Sequence, residues 1–337
     1  MAELNYVFGP VPSRRLGSSL GIDPIPLKTC NWNCVYCQLG RSRPLTNVRR
    51  EYVPCHTILT EVQHTLDLHQ PGQIDWVTFV GSGEPTLHSG LGKLIQQVKT
   101  MTALPVAVIT NGSLLYLPEV RDQLAEADAV LPSLDAGNPR LYRKINRPWP
   151  RLTFERLIEG LSAFRREYSG KLWIEVMLIQ GLNDTEESLQ EIAAILERIQ
   201  PDQVHLNVPT RPPVETWVRP PNEDAISRAK RILGESAKEM TPPVLEVQVA
   251  DSENLEETIL NIITRHPMKE QELFDLLERW SSNEIRTALE QLAAKREAQV
   301  VTRYGIQFWS SRRAYFPVED LTSQTKHVTD RKTDISM

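Results

Sequence analysis

The chain has 337 residues, 40% of them hydrophobic and 24% charged, which is an ordinary globular balance and more chain than one compact core needs. A formal net charge of −5 excludes the broad basic surface of a protein that coats nucleic acid non-specifically. No run approaches the ~18 apolar residues of a membrane span, and MAELNYVFGPVPSRRLG lacks a signal-peptide core, so a cytoplasmic protein without membrane attachment is expected.

From about residue 17 to residue 235, short apolar runs alternate with longer amphipathic ones. Leu20–Ile22, Ile74–Val80, Val106–Thr110, Ala129–Asp135, Leu172–Ile179 and Val204–Val208 are rich in Val, Ile or Leu, as strands buried on both faces are. Between or after them, Thr57–Leu68, Leu91–Lys99, Glu119–Ala125, Phe154–Tyr168, Glu186–Ile199 and Asp224–Leu233 read as helices. Asp184 and Thr185 supply N-cap candidates, and Gly170 sits where a left-handed glycine ends a helix. Six β-α units predict an α/β fold with a parallel sheet. Six strands are fewer than a closed barrel needs, which points to a partial (β/α)6 barrel over residues 1–235.

Five prolines between Pro209 and Pro221 rule out a regular helix there and read as a rigid connection. Residues 236–254 read as a linker carrying one further strand at Leu245–Val249. Leu260–Thr264, Glu270–Leu277 and Ser282–Arg296 then read as helices, and Gln299–Arg303 with Gly305–Trp309 as a hairpin. Together they suggest a C-terminal winged-helix-like domain over 255–316, followed by a disordered tail at 317–337.

Three of the 4 cysteines fall within LKTCNWNCVYCQLG, after the first strand. A cluster this tight points to a metal in a reducing compartment rather than to a disulfide framework. Thiolates select iron–sulfur clusters or zinc. Structural zinc would need Cys55 or His56 as a fourth ligand, and a redox C-x-x-C at Cys34 and Cys37 leaves Cys30 without a role. Gly81-Ser82-Gly83-Glu84-Pro85 follows the second strand. Its glycines admit close backbone approach and its carboxylate suits an ammonium, although a tight β-α turn with Glu84 at a helix start would look the same. Thr110-Asn111-Gly112 and Ser133-Leu134-Asp135 end the third and fourth strands, where ligands gather in parallel sheets.

With Tyr36 as the aromatic residue just before its last cysteine, the C-x3-C-x2-C loop resembles that of the radical S-adenosylmethionine (SAM) superfamily. The resemblance extends to about residue 235. It implies a [4Fe-4S] cluster on Cys30, Cys34 and Cys37, with one iron left open. It further implies SAM contacts at Tyr36, Ser82, Gly83, Glu84, Asn111, Ser133, Asp135 and Asn207. In that reading the Gly81–Pro85 loop takes the amino group, and the third and fourth strand ends take ribose and carboxylate. Asn207 and the stretch Met177–Gly181 are weaker candidates for the adenine edge. The implied reaction is reductive cleavage of SAM to a 5′-deoxyadenosyl radical that abstracts hydrogen from a substrate. The electron comes from an external donor of flavodoxin or ferredoxin type, and no protein acid or base is required.

FGPVPSRRLGSSLGID, the cysteine loop and WIEVMLIQGLND together are similar to a group related to the wybutosine-synthesis enzymes, which modify a tRNA guanosine. That family holds a second cluster on further cysteines, and here only Cys55 is left over, so the substrate is unassigned. Arg14, Arg15, Lys28, Arg41, Arg43, Arg49 and Arg50 face Asp23 alone within residues 11–50, which suggests an anionic substrate such as a phosphorylated metabolite or RNA. Acids and bases balance over 255–316, which favours protein docking or substrate presentation over nucleic-acid binding for that unit. The opposing class is a non-catalytic metal-binding regulator that reads DNA through the winged helix.

Overall fold

This computed structural model describes residues 6–13, 15–240 and 254–317. One sheet of eight strands runs in sequential order: β1 (Val7–Ser13), β2 (Gly17–Ile22), β3 (Trp76–Phe79), β4 (Val106–Thr110), β5 (Ala129–Pro132), β6 (Lys171–Met177), β7 (Gln203–Asn207) and β8 (Ala237–Glu239). β1 is antiparallel to β2, and every other neighbouring pair is parallel. The crossovers are helical: α1 (Cys55–Asp67), α2 (Leu91–Met101), α3 (Pro118–Leu124), α4 (Pro139–Ile145) with α5 (Phe154–Glu167), α6 (Glu186–Ile199) and α7 (Glu223–Leu233).

The unbroken apolar strands serve two cores. Val106 and Val108 face the helices and join the main core, while Ala107, Ala129, Leu131 and Trp173 pack separately on the other face with Trp76 and Ile109. That second face also carries charge. Arg15, from the β1–β2 link, pairs with Glu175 of β6, and the His205 ring lies 5.4 Å from the Trp173 ring.

Two elements that were not anticipated, β1 and α4, and one misplaced helix stop have local causes. β1 contains Gly9, Pro10 and Pro12, and an edge strand tolerates proline because one side of its ladder has no partner. α4 is only 7 residues long, set by Pro139 at its first position and by Asn138, whose side chain accepts from the Leu141 N–H. Gly170 does not terminate α5 in a left-handed turn. The helix stops with Tyr168 extended, and the missing Gly170 side chain leaves room for the Tyr168 hydroxyl, 2.4 Å from where a Cβ would stand.

β8 carries the sheet past the expected end at residue 235. The strand expected at Leu245–Val249 lies outside the described residues, as does the expected tail from residue 318 onward. Among the described residues no helix is long and apolar enough to cross a membrane.

The C-terminal unit comprises α8 (Leu255–Arg265), α9 (Glu270–Leu276), α10 (Ser282–Ala294) and the hairpin β9 (Ala298–Arg303)–β10 (Ile306–Ser311), with a core of its own. Ser281 and Glu284 form a capping box on α10. The hairpin turns through Tyr304 and Gly305, both at positive φ (58° and 75°), as a two-residue type I′ turn requires. This unit reaches both ends of the sheet. Phe8 of β1 meets His266, whereas Arg303 donates to the carbonyls of Pro213 and Val214 in the connection after β7.

Candidate cofactor site

Strand C-terminal ends converge on the loop that carries the three cysteines. Cys30, Cys34 and Cys37 are half-buried free thiols, and the Cys37 N–H donates to the Cys34 carbonyl at 3.1 Å. A second loop locks this one in place. Lys28 N–H donates to the Ser82 carbonyl at 2.6 Å, and Glu84 N–H to the Thr29 carbonyl at 2.9 Å. A Cβ on Gly83 would stand 1.9 Å from the Thr29 oxygen, so only glycine lets the two loops touch.

Each thiol is linked to a buried carboxylate, Cys30 and Cys34 through one intermediary and Cys37 through two. Glu84 accepts from Thr86 N–H (3.0 Å), Thr86 Oγ1 (2.5 Å), Thr110 Oγ1 (2.6 Å) and Asn111 N–H (2.7 Å). Asn111 Nδ2 then donates to Asn31 at 2.7 Å and approaches Cys30 Sγ at 3.9 Å. Asp135 accepts from Tyr36 Oη (2.6 Å), Asn146 Nδ2 (2.6 Å) and Met177 N–H (2.8 Å), and Asn146 Nδ2 also lies 3.8 Å from Cys34 Sγ. Asp23 accepts from the N–H and Oγ of Ser82 (3.1 and 2.6 Å), whose carbonyl holds Lys28. The Lys28 ammonium donates to Cys37 Sγ at 3.1 Å.

Burial sets the proton affinities here. It pushes the Cys30 thiol up to about 12 and Cys34 well above the usual thiol range. It also raises Glu84 and Asp23, and brings Asp135 to about 6, with hydrogen bonds opposing the rise in each case. Without a metal, Cys30 and Cys34 favour their neutral thiol forms.

The residues present fit an iron–sulfur cluster and an accompanying polar ligand. Three soft thiols lie on one loop, and among the described residues two buried amide oxygens, Asn146 Oδ1 beside the loop and Asn207 Oδ1 at the end of β7, have no hydrogen-bond partner. Among the described residues no three His, Cys, Asp or Glu side chains converge as around a single ion. Thiolates of a four-iron cluster each bind a different iron and need not converge. Cys55 opens α1 and packs against Gly90, and His56 contacts Thr57.

The expected site residues divide into two groups. Tyr36, Ser82, Gly83, Glu84, Asn111 and Asp135 gather around the cysteine loop, while Ser133 pairs with Glu175 one step deeper and Asn207 stands apart at the end of β7. The Glu84 carboxylate, expected to meet an ammonium, accepts three hydrogen bonds at Oε1 and one at Oε2 and caps the 3-10 turn at Pro85–Leu87. Met177 gives its N–H to Asp135, while its side chain packs against the apolar cluster that includes Val35, Ile145 and Ile179. Lys28, expected among the cations of an anion site, instead reaches Cys37, while Asn31 and Asn146 were not anticipated. Nothing in their sequence context marks Asn31 or Asn146, but a lysine two positions before the first cysteine was a readable signal.

Among the described residues, the arginines of the expected anion site have separate partners. Arg15 pairs with Glu175, Arg41 with Glu215, and Arg49 with Glu119, while Arg43 covers the Tyr315 ring and Arg50 the Tyr52 ring. Arg14 lies outside the described residues. Close in sequence, these cations are spent one at a time on separate partners.

A thiol-bearing loop at the mouth of a parallel sheet, backed by buried carboxylates and carboxamides, defines a cofactor-dependent α/β enzyme. The sequence model of the Radical SAM superfamily matches residues 25–208, more than half of the chain, and the chain belongs to that superfamily. Its members use a [4Fe-4S] cluster and SAM, and they take an external electron donor and a substrate. The chain is 37% identical over 278 residues to the UPF0026 protein MJ1312 of Methanocaldococcus jannaschii, covering 81% of this chain and 86% of that one. It is 39% identical over 207 residues to the UPF0026 protein slr1464 of Synechocystis, covering 61% and 76%. It is also 41% identical over 264 residues to a protein named GTPase Obg of Brachyspira hyodysenteriae, covering 77% of this chain but only 38% of that longer protein.

Proposed function

We propose that Cys30, Cys34 and Cys37 hold a [4Fe-4S] cluster whose open iron takes SAM, and that the chain directs the resulting radical chemistry at a substrate not yet assigned. Bound together, cluster and SAM supply a one-electron reductive cleavage that leaves a 5′-deoxyadenosyl radical able to remove a hydrogen atom. The chain's own residues bind, orient and exclude water. Asn111, Asn146 and Lys28 aim donors at the three sulfurs, and Gly83 closes the second loop onto the first. Tyr36 and Asp135 brace the loop from the end of β5. Asn207 and Ser133 are assigned to SAM, with the unpartnered Asn207 Oδ1 suited to a ligand N–H.

The observation that carries this reading is the separate buried carboxylate behind each of the three thiols. The test is anaerobic reconstitution with iron and sulfide, followed by dithionite and SAM and an assay for 5′-deoxyadenosine. Wild type should produce it and Cys34→Ala should not. A folded wild type that binds a cluster without ever cleaving SAM would sink the proposal.

The C-terminal unit is read as winged-helix-like and as a docking or substrate-presenting module rather than a nucleic-acid reader. Its α10 cations support this, because Arg286 pairs with Glu270 and Lys295 with Glu256. A salt-sensitive shift of the full chain with tRNA, lost in Arg286→Ala, would reverse that reading.

A further inference from the structure

Lys28 occupies a position that ordinary chain geometry disfavours. Its φ is 61°, in the left-handed region that residues other than glycine seldom enter, and outliers of this kind gather where a side chain has been aimed for a purpose. The hydrogen bond from its N–H to the Ser82 carbonyl, with Ser82 clamped at two atoms by Asp23, fixes the backbone in that conformation. Held this way, the half-buried side chain carries its ammonium to 3.1 Å from Cys37 Sγ. Among the described residues no carboxylate forms an ion pair with it, so its charge is not cancelled by an acid and bears on the sulfurs.

We propose that Lys28 tunes the reduction potential of the cluster, raising it by placing a fixed positive charge and a hydrogen bond on the Cys37 sulfur. The inference rests on the cysteine assignment above and goes beyond it. When the external donor gives up one electron, the group held by the three thiolates gains one unit of negative charge. A neighbouring cation stabilises the reduced form more than the oxidised one. Hydrogen bonds to the sulfurs and local net charge are the levers by which a protein sets such potentials. Lys28 is therefore a positioning residue that governs how readily an electron donor can load the site.

The test compares wild type, Lys28→Met and Lys28→Arg, each reconstituted anaerobically and matched for iron and sulfide content, in a redox titration followed by electron paramagnetic resonance. Lys28→Met should shift the reduction equilibrium at least tenfold toward the oxidised form, a midpoint about 59 mV lower for one electron. Lys28→Arg keeps the charge and should stay near wild type. An unchanged midpoint in fully loaded Lys28→Met, or an equal shift in both variants, overturns the proposal. Should Lys28→Met lose the cluster, Lys28→Gln takes its place, and loss in both neutral variants makes Lys28 a structural prop and overturns the tuning role. A wild type that takes up no cluster defeats the cysteine assignment instead, which is a different result.

Discussion

At the mouth of the sheet, Asp23, Glu84 and Asp135 are 3%, 1% and 2% exposed, and each is engaged by two or more donors. In the C-terminal unit, Glu256 and Glu270 instead meet Lys295 and Arg286 at the surface, where the lysine and arginine side chains are 56% and 47% exposed. Water screens the second kind of pair and gives it little weight. The first kind is held out of water, where every partner counts and a lost one is costly. One region has spent stability to hold charge in a fixed place, as catalytic sites do. The other has kept its charge cheap and its surface neutral.

The seam between the regions offers the sharpest break. Arg265 of α8 lies 3.4 Å from Asp23, both nearly buried, and stacks over Phe8 at 4.7 Å. Arg265→Ala should destabilise the protein by about 3–5 kcal/mol in denaturant unfolding, because it strands a buried acid. A loss under about 1 kcal/mol would mean that the two regions are energetically separate.

Glu215 comes next. It accepts from Arg41 and Arg147 at 2.6 Å each, while its N–H donates to the Val35 carbonyl, so the proline-rich connection clamps the cysteine loop. Burial works against its charge and the two guanidiniums outweigh it, which holds the Glu215 carboxyl below the usual carboxylate range. The stability it contributes is full above the ordinary glutamate pKa and vanishes as pH falls through its depressed value. Glu215→Gln should therefore cost about 1–2 kcal/mol near pH 7, with the gap to wild type closing in acid. A gap that does not change with pH would show that the clamp is not ionic.

The smallest effect belongs to the surface. Arg286→Ala should change thermal stability by less than about 1 kcal/mol, and the little it does should fade at high salt.

The strand and helix succession was legible because strands buried on two faces leave unbroken apolar runs and amphipathic crossovers leave a helical period. Val106–Thr110 and Glu186–Ile199 were read at their observed limits. The cysteine loop stood out by its spacing, which left zinc and an iron–sulfur cluster both open until the family resemblance was added. What escaped depends on contacts between distant parts of the chain. Asn31 and Asn146 act because Asn111 and Asp135 arrive beside them, and polar side chains in loops carry no periodic mark. The dispersal of the N-terminal cations was equally hidden, since their partners Glu119, Glu175 and Glu215 come from three later segments. Glu84 was read by its motif as a ligand to an ammonium. Its hydrogen bonds from Thr110 and Asn111 follow from where β4 ends.

The contact between Gln38 and the Arg265 carbonyl, 227 positions apart in the chain, has a consequence for synthesis. A ribosome adding roughly 5–20 residues per second needs about 10–45 s to make the second partner after the first. For that interval the cysteine loop exists without the unit that later braces it, and its thiols are exposed to oxygen and stray metal. A cluster added during synthesis would meet an open loop, and one added afterwards a braced one.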